Sequence, residues 1–135
     1  MNQKKLFKTI KEKNCLCLDI GIGVDIENIE RFKKIDRSKD RLFLKKIFTK
    51  IELEYCYSKK NSAPYLAARF AAKEAVVKSL TSLNQQSMPY NQIEVYNNEK
   101  GLPFVRLLNK KLSRLKIKIS LSHCKDKALA FAIII

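Results

Sequence analysis

The sequence predicts an α+β domain, a small and mainly antiparallel sheet packed on one long helix with short helices beside it. Three observations predict it. Apolar residues alternate strictly from Leu16 to Ile26, the period of a strand. Residues 64–82 form an alanine-rich stretch long enough for five helical turns. The segments IEVYN, PFVRLL, KIKISLSH and ALAFAIII then follow one another with turn residues between them, as strands of a meander do.

In the first strand Leu16, Leu18, Ile20, Ile22, Val24 and Ile26 form one face, and Cys17, Asp19, Gly21, Gly23, Asp25 and Glu27 the other. One face is oily and the other nearly bare. Short helices are expected over 28–36 and 39–47. Thr49 to Glu52, T-K-I-E, has the capping-box pattern that opens a third. Asn61 or Ser62 caps the main helix, and Pro64 suits its first turn. After the loop LNQQSMPYN, strands at 93–97 and 103–108 flank the turn NEKG, a hairpin. A short basic helix is expected over 109–115, then the last two strands. Residues 1–16 read as a basic N-terminal extension and 17–135 as a single domain.

With 28 Lys and Arg against 13 Asp and Glu, the net charge is +15, spread along the chain. Such a surface favours acidic partners. The apolar runs fall far short of the roughly 20 residues of a membrane span, so no membrane is expected. No signal peptide is evident, and the expected location is cytoplasmic. Cys15, Cys17, Cys56 and Cys124 repeat no zinc-ligand spacing and are read as free thiols.

Several residues carry chemistry. Asp25 lies on the bare face beyond Gly21 and Gly23, where the glycines admit either a packed helix or a ligand. Glu74 and Lys78 share a helix face with Phe70, as an exposed ion pair or as part of a site. The alanines at 67, 68, 71, 72 and 75 let another element, or a ligand, approach the charges of that helix. His123 ends a strand, in a structural or a catalytic position. Asp25 and Glu74 together suffice for Mg²⁺ if phosphates and waters complete its shell. Arg69, Lys78 and His123 would then neutralise the phosphates. On this reading Arg69, Lys73, Glu74 and Lys78 lie in a packing helix because a charged ligand is buried with them.

Four motifs carry a resemblance: G-I-G-V-D-I at 21–26, R-F-A-A-K-E-A-x-x-K at 69–78, N-N-E-K-G-L-P at 97–103 and S-L-S-H at 120–123. In this order they resemble the holo-acyl-carrier-protein synthases, the short single-repeat class of 4′-phosphopantetheinyl transferases, over roughly residues 19–135. The resemblance implies that Asp25 and Glu74 hold Mg²⁺ and that Lys78 neutralises phosphate and helps to position the attacking hydroxyl. It implies that Arg69 and His123 line the phosphates of coenzyme A, with Gly101 and Pro103 in the turn near its adenine. Arg31 would contact an acidic acyl carrier protein. The implied reaction moves 4′-phosphopantetheine from coenzyme A to a carrier serine, releases 3′,5′-ADP and serves fatty acid biosynthesis. The implied assembly is a homotrimer with sites between protomers.

The chain departs from the family pattern at three places. Asn28 stands where a glutamate is usual, the loop at 81–86 lacks its glycine, and Leu102 replaces a basic residue. Two other readings compete. A basic nucleic-acid-binding domain would interleave its cations with exposed aromatics, whereas Phe43, Phe48, Tyr55, Tyr57 and Phe70 fall at helix-core positions. A catalytically inactive family scaffold would explain the missing glycine.

Overall fold

The computed structural model describes residues 19–135. The expectations for residues 1–16, and for the strand residues before Asp19, lie outside that range. Strand β1 (Gly21–Asn28) leads into helices α1 (Ile29–Lys33), α2 (Arg41–Ile47), α3 (Lys50–Tyr57) and the long α4 (Ala63–Ser82). A single 3-10 turn at Tyr90–Gln92 precedes β2 (Ile93–Asn97), β3 (Pro103–Leu107), β4 (Ile117–His123) and β5 (Lys127–Ile134). The strands make two antiparallel sheets, β1-β5-β4 and the hairpin β2-β3, rather than one.

Helix α4 lies against the bare face of β1, and the glycines are there to admit it. A Cβ on Gly23 would stand 1.9 Å from the Ala75 carbonyl oxygen, and one on Gly21 would stand 2.5 Å from that of Ser79. Either substitution would force the helix off the strand. Ala71, Ala72 and Ala75, fully buried, supply the matching small surface from the helix side. The packed-helix reading of the glycines therefore holds, and the oily face of β1 points outward. Ile22, Val24 and Ile26 are 57%, 52% and 57% exposed. Leu129 and Phe131 of β5 continue the same open apolar surface.

The helix ends follow their caps. Thr49 and Glu52 form the capping box of α3. Asn28 caps α1, its side-chain oxygen accepting from the Glu30 N–H at 3.2 Å. At the start of α4 the Asn61 side chain accepts from the Ala63 N–H at 3.3 Å, while Ser62 makes no side-chain cap. The glycine-free loop solves its own problem. Asn84 adopts φ +55°, while the Asn84 and Gln85 N–H groups close back on the Thr81 and Leu80 carbonyls. This is the helix-ending pattern that glycine usually serves, and asparagine tolerates it.

Two expectations fail locally. Residues 109–115 form successive turns, not a helix. The Asn109 side chain caps the Lys111 N–H, and Lys110, Lys111 and Arg114 would repel one another on a helical face. Phe43, expected in the core, is 47% exposed.

Candidate active site

Asp25 and Glu27 sit two residues apart on β1, so both carboxylates face α4 beyond the glycines. There α4 presents Glu74 and Lys78, one turn apart. Lys78 Nζ donates to Asp25 Oδ1 at 2.9 Å and to the Val24 carbonyl at 2.9 Å. The other Asp25 oxygen, Oδ2, is buried and has no hydrogen-bond partner among the described residues. Glu74 accepts through Oε1 from the Tyr90 hydroxyl. Glu27 pairs with the Arg31 guanidinium at 2.5 Å, one turn along the chain.

These carboxylates feel one another. Burial lifts the Glu27 carboxyl above its ordinary range against the pull of Arg31, and the charges of Asp25 and Glu74 add to the lift. Burial and the bond to Glu74 push the Tyr90 hydroxyl up to about 12, with Asp25 and Glu27 contributing. Tyr90 therefore remains a hydrogen donor across the physiological range. Three negative groups converge on one side of α4, with Lys78 and Arg31 at the margins.

The other two charges of the helix behave differently. Lys73 is fully buried, and so is its partner Glu52, 2.8 Å away. Its Nζ also donates to the Tyr90 carbonyl at 2.9 Å and to that of Ile93. Glu52 in turn accepts from the Val95 N–H at 2.9 Å and the Thr49 N–H at 2.7 Å. Burial pulls the Lys73 ammonium below its ordinary value, and Glu52 opposes the pull. Arg69, only 3% exposed, donates to Asn97 Oδ1 at 2.7 Å and stacks over the Tyr55 ring. Lys73 is thus buried with partners from the chain itself, whereas Arg69 is held by Asn97 and Tyr55 but keeps a buried Nε with no hydrogen-bond partner among the described residues. The expectation that a ligand explains all four charges is corrected for Lys73.

Of the residues singled out in the sequence, Asp25, Glu74 and Lys78 come together, and Arg31 joins them through Glu27. Gly101 lies in the hairpin turn, where it takes φ +78° and its carbonyl accepts from the Asn97 amide, and Pro103 opens β3 opposite Asn97. That amide links the turn to Arg69, so these three form a second cluster. His123 is exposed at the end of β4, in the same row of the sheet as Glu27 but two strands away. Among the described residues no hydrogen bond or ion pair joins His123 to either cluster. Glu27 and Tyr90 were not singled out. The D-x-E spacing on the bare face was a signal for Glu27, whereas Tyr90 sits in a loop without periodicity.

Of the departures, Asn28 serves as a helix cap, and Glu27 beside it supplies a carboxylate. Leu102 is exposed in the hairpin turn.

Among the described residues no three His, Cys, Asp or Glu side chains form a ready metal cage. The donor set still suits a hard cation that keeps several outside ligands. Asp25 and Glu74 offer two carboxylates, and the unpartnered Oδ2 is an acceptor awaiting a positive group.

A sequence family described as the 4′-phosphopantetheinyl transferase superfamily matches residues 21–132. The holo-[acyl-carrier-protein] synthase of Thermodesulfovibrio yellowstonii is 47% identical over 116 residues, 84% of this chain and 96% of that protein. The holo-[acyl-carrier-protein] synthase of Helicobacter pylori, solved in complex with coenzyme A, is 27% identical with a TM-score of 0.70 over 84% of this chain and 98% of that one. That of Bacillus anthracis, solved in complex with CoA (3′,5′-ADP), is 26% identical with a TM-score of 0.66 over 84% and 94%.

Proposed function

The chain belongs to the 4′-phosphopantetheinyl transferase superfamily, and from that premise we propose that it is a holo-[acyl-carrier-protein] synthase acting at the Asp25–Glu74–Lys78 cluster. It transfers 4′-phosphopantetheine from coenzyme A to a serine of an apo acyl carrier protein, and the product serves fatty acid biosynthesis in the cytoplasm. The observation that carries the site is Asp25 Oδ2, a buried carboxylate oxygen with no hydrogen-bond partner among the described residues, close to the carboxylates of Glu27 and Glu74. Such an atom is costly in a structure unless a ligand completes it.

Asp25 and Glu74 are the residues that would hold Mg²⁺. When bound, the ion supplies charge neutralisation at the pyrophosphate of coenzyme A. Lys78, whose side chain is 52% exposed, is able to leave Asp25 Oδ1 for a phosphate oxygen. The serine Oγ forms a bond to the β-phosphorus as the bond from that phosphorus to the bridging oxygen breaks. The electron pair leaves with 3′,5′-ADP. The serine proton passes to a water or to one of the site carboxylates. Positioning and charge neutralisation dominate such a transfer.

Arg31, exposed beside Phe32 and Phe70, is the proposed contact for the acidic carrier, and the +15 charge steers it to the protein. Arg69 and His123 remain the proposed contacts for the coenzyme A phosphates, with Gly101 and Pro103 near its adenine. Their separation within one protomer favours a site completed by a neighbour. The open apolar face of β1 and β5 is suited to bury against a second copy, which favours a homotrimer. Sedimentation equilibrium reads the assembly directly, and a monomer would remove this part of the proposal.

The function is tested by the intact mass of an apo acyl carrier protein incubated with the protein, coenzyme A and Mg²⁺, beside a chelator control. A gain of one phosphopantetheine that the chelator abolishes is expected. No gain with a competent carrier would overturn the reading.

A further inference from the structure

Tyr90 stands outside every motif that identifies the site, yet it touches both kinds of charge on α4. Its hydroxyl donates to Glu74 Oε1, and its carbonyl oxygen accepts from Lys73 Nζ at 2.9 Å. Lys73 and Glu74 are consecutive on the helix, so the two bonds hold one residue by its side chain and its main chain at once. The anchor for the main chain is firm. Lys73 is itself fixed by Glu52 and by the Ile93 carbonyl, and Glu52 is fixed by the backbone N–H groups of Thr49, the cap of its own helix, and of Val95 in β2. The ring is held as well, 5.6 Å from the Phe70 ring on the same helix.

A glutamate on a helix surface has three rotatable side-chain bonds, and ordering it against a ligand costs entropy. A hydroxyl donated from a fixed main chain removes much of that freedom before the ligand arrives. The donated bond occupies Oε1 and leaves Oε2 for another partner. Carboxylates that hold metal ions are commonly hydrogen-bonded in this way, and removing the partner lowers affinity or activity.

We infer that Tyr90 is a positioning residue, its main chain pinned by the buried Lys73–Glu52 pair and its hydroxyl holding the Glu74 carboxylate in place for a divalent cation. The inference rests on the reading of Glu74 as a cation-facing carboxylate. It explains why a loop residue is tied so firmly to the sealed network inside the protein. The Lys73–Glu52 pair then supports the fold and also sets the position of a group that acts at the site.

The test is Tyr90→Phe, which keeps the ring and its packing and removes only the hydroxyl. Manganese binding is titrated by electron paramagnetic resonance on the parent and the variant, with coenzyme A present to complete the shell and without carrier. Affinity is expected to fall about 10–100-fold in the variant. In the transfer assay the Mg²⁺ concentration for half-maximal rate should rise with it, while the KM for the carrier stays put. An unchanged manganese titration, or none in either protein, overturns the inference. A parent that binds manganese but transfers nothing would sink the proposed function instead, and the titration would still decide the role of Tyr90.

Discussion

Helix α4 carries two lysine–carboxylate pairs five residues apart, and they are opposites. Lys73 and Glu52 are both fully buried, and every charged atom has its partners. Lys78 and Asp25 have side chains 52% and 14% exposed, with one carboxylate oxygen buried and unpartnered. The first pair joins α3, α4 and β2 and leaves nothing over for a ligand. The second is incomplete among the described residues. A satisfied buried pair has a structural task, and the unsatisfied one beside it is where the proposed ligand would act.

The comparison can be broken from either side. Glu74→Gln keeps the shape of the open cluster but removes one negative charge. It should cost transfer about a thousandfold or more, with the unfolding midpoint unchanged. Near-normal turnover would remove Glu74 from the site. Lys73→Met strikes the sealed pair and leaves Glu52 buried without its charge partner. Denaturant titration should show a loss of about 3–5 kcal/mol. Adding Glu52→Leu should recover only part of that loss, because it removes the unpaired buried charge but leaves the Val95 and Thr49 N–H groups without their acceptor. A Lys73→Met protein as stable as the parent would contradict the structural role.

Two smaller effects sharpen the contrast. Lys78→Met should change stability by less than about 1 kcal/mol, since an exposed ion pair contributes little. Its kcat should nevertheless fall about a hundredfold, which a purely structural pair would not show. Arg31 and Glu27 form an intermediate case, a pair buried on one side only. Arg31→Glu should raise the KM for the carrier severalfold and leave that for coenzyme A nearly unchanged. Equal changes in both would count against docking through Arg31.

Much of this arrangement was legible in the sequence. Alternation located β1, the capping box located α3, and the motif residues Asp25, Glu74 and Lys78 converge in space. What the pattern could not supply was direction. Alternation separates two faces without saying which is inside. Gly21 and Gly23 decided it, because only a bare strand lets the α4 backbone approach so closely. The apolar face was left outward as a result. Nor could helical spacing divide the four charges of α4. Lys73 is sealed by Glu52, and Arg69 is held by Asn97 and Tyr55, partners distant in sequence. Tyr90 was invisible for the same reason, since its role lies in where the loop crosses the helix. In the glycine-free loop after α4, Asn84 takes the left-handed conformation that glycine usually serves.

Asp25→Asn tests the central claim most directly, since it alters the one atom on which the site rests. Thermal unfolding and the intact mass of the apo carrier should be read on the same preparation, with coenzyme A and Mg²⁺ in excess. The account predicts a protein at least as stable as the parent, freed of a buried unpartnered negative oxygen, that adds no phosphopantetheine to the carrier. A carrier modified at the parent's rate would contradict it, and the chemistry would have to be sought away from this cluster.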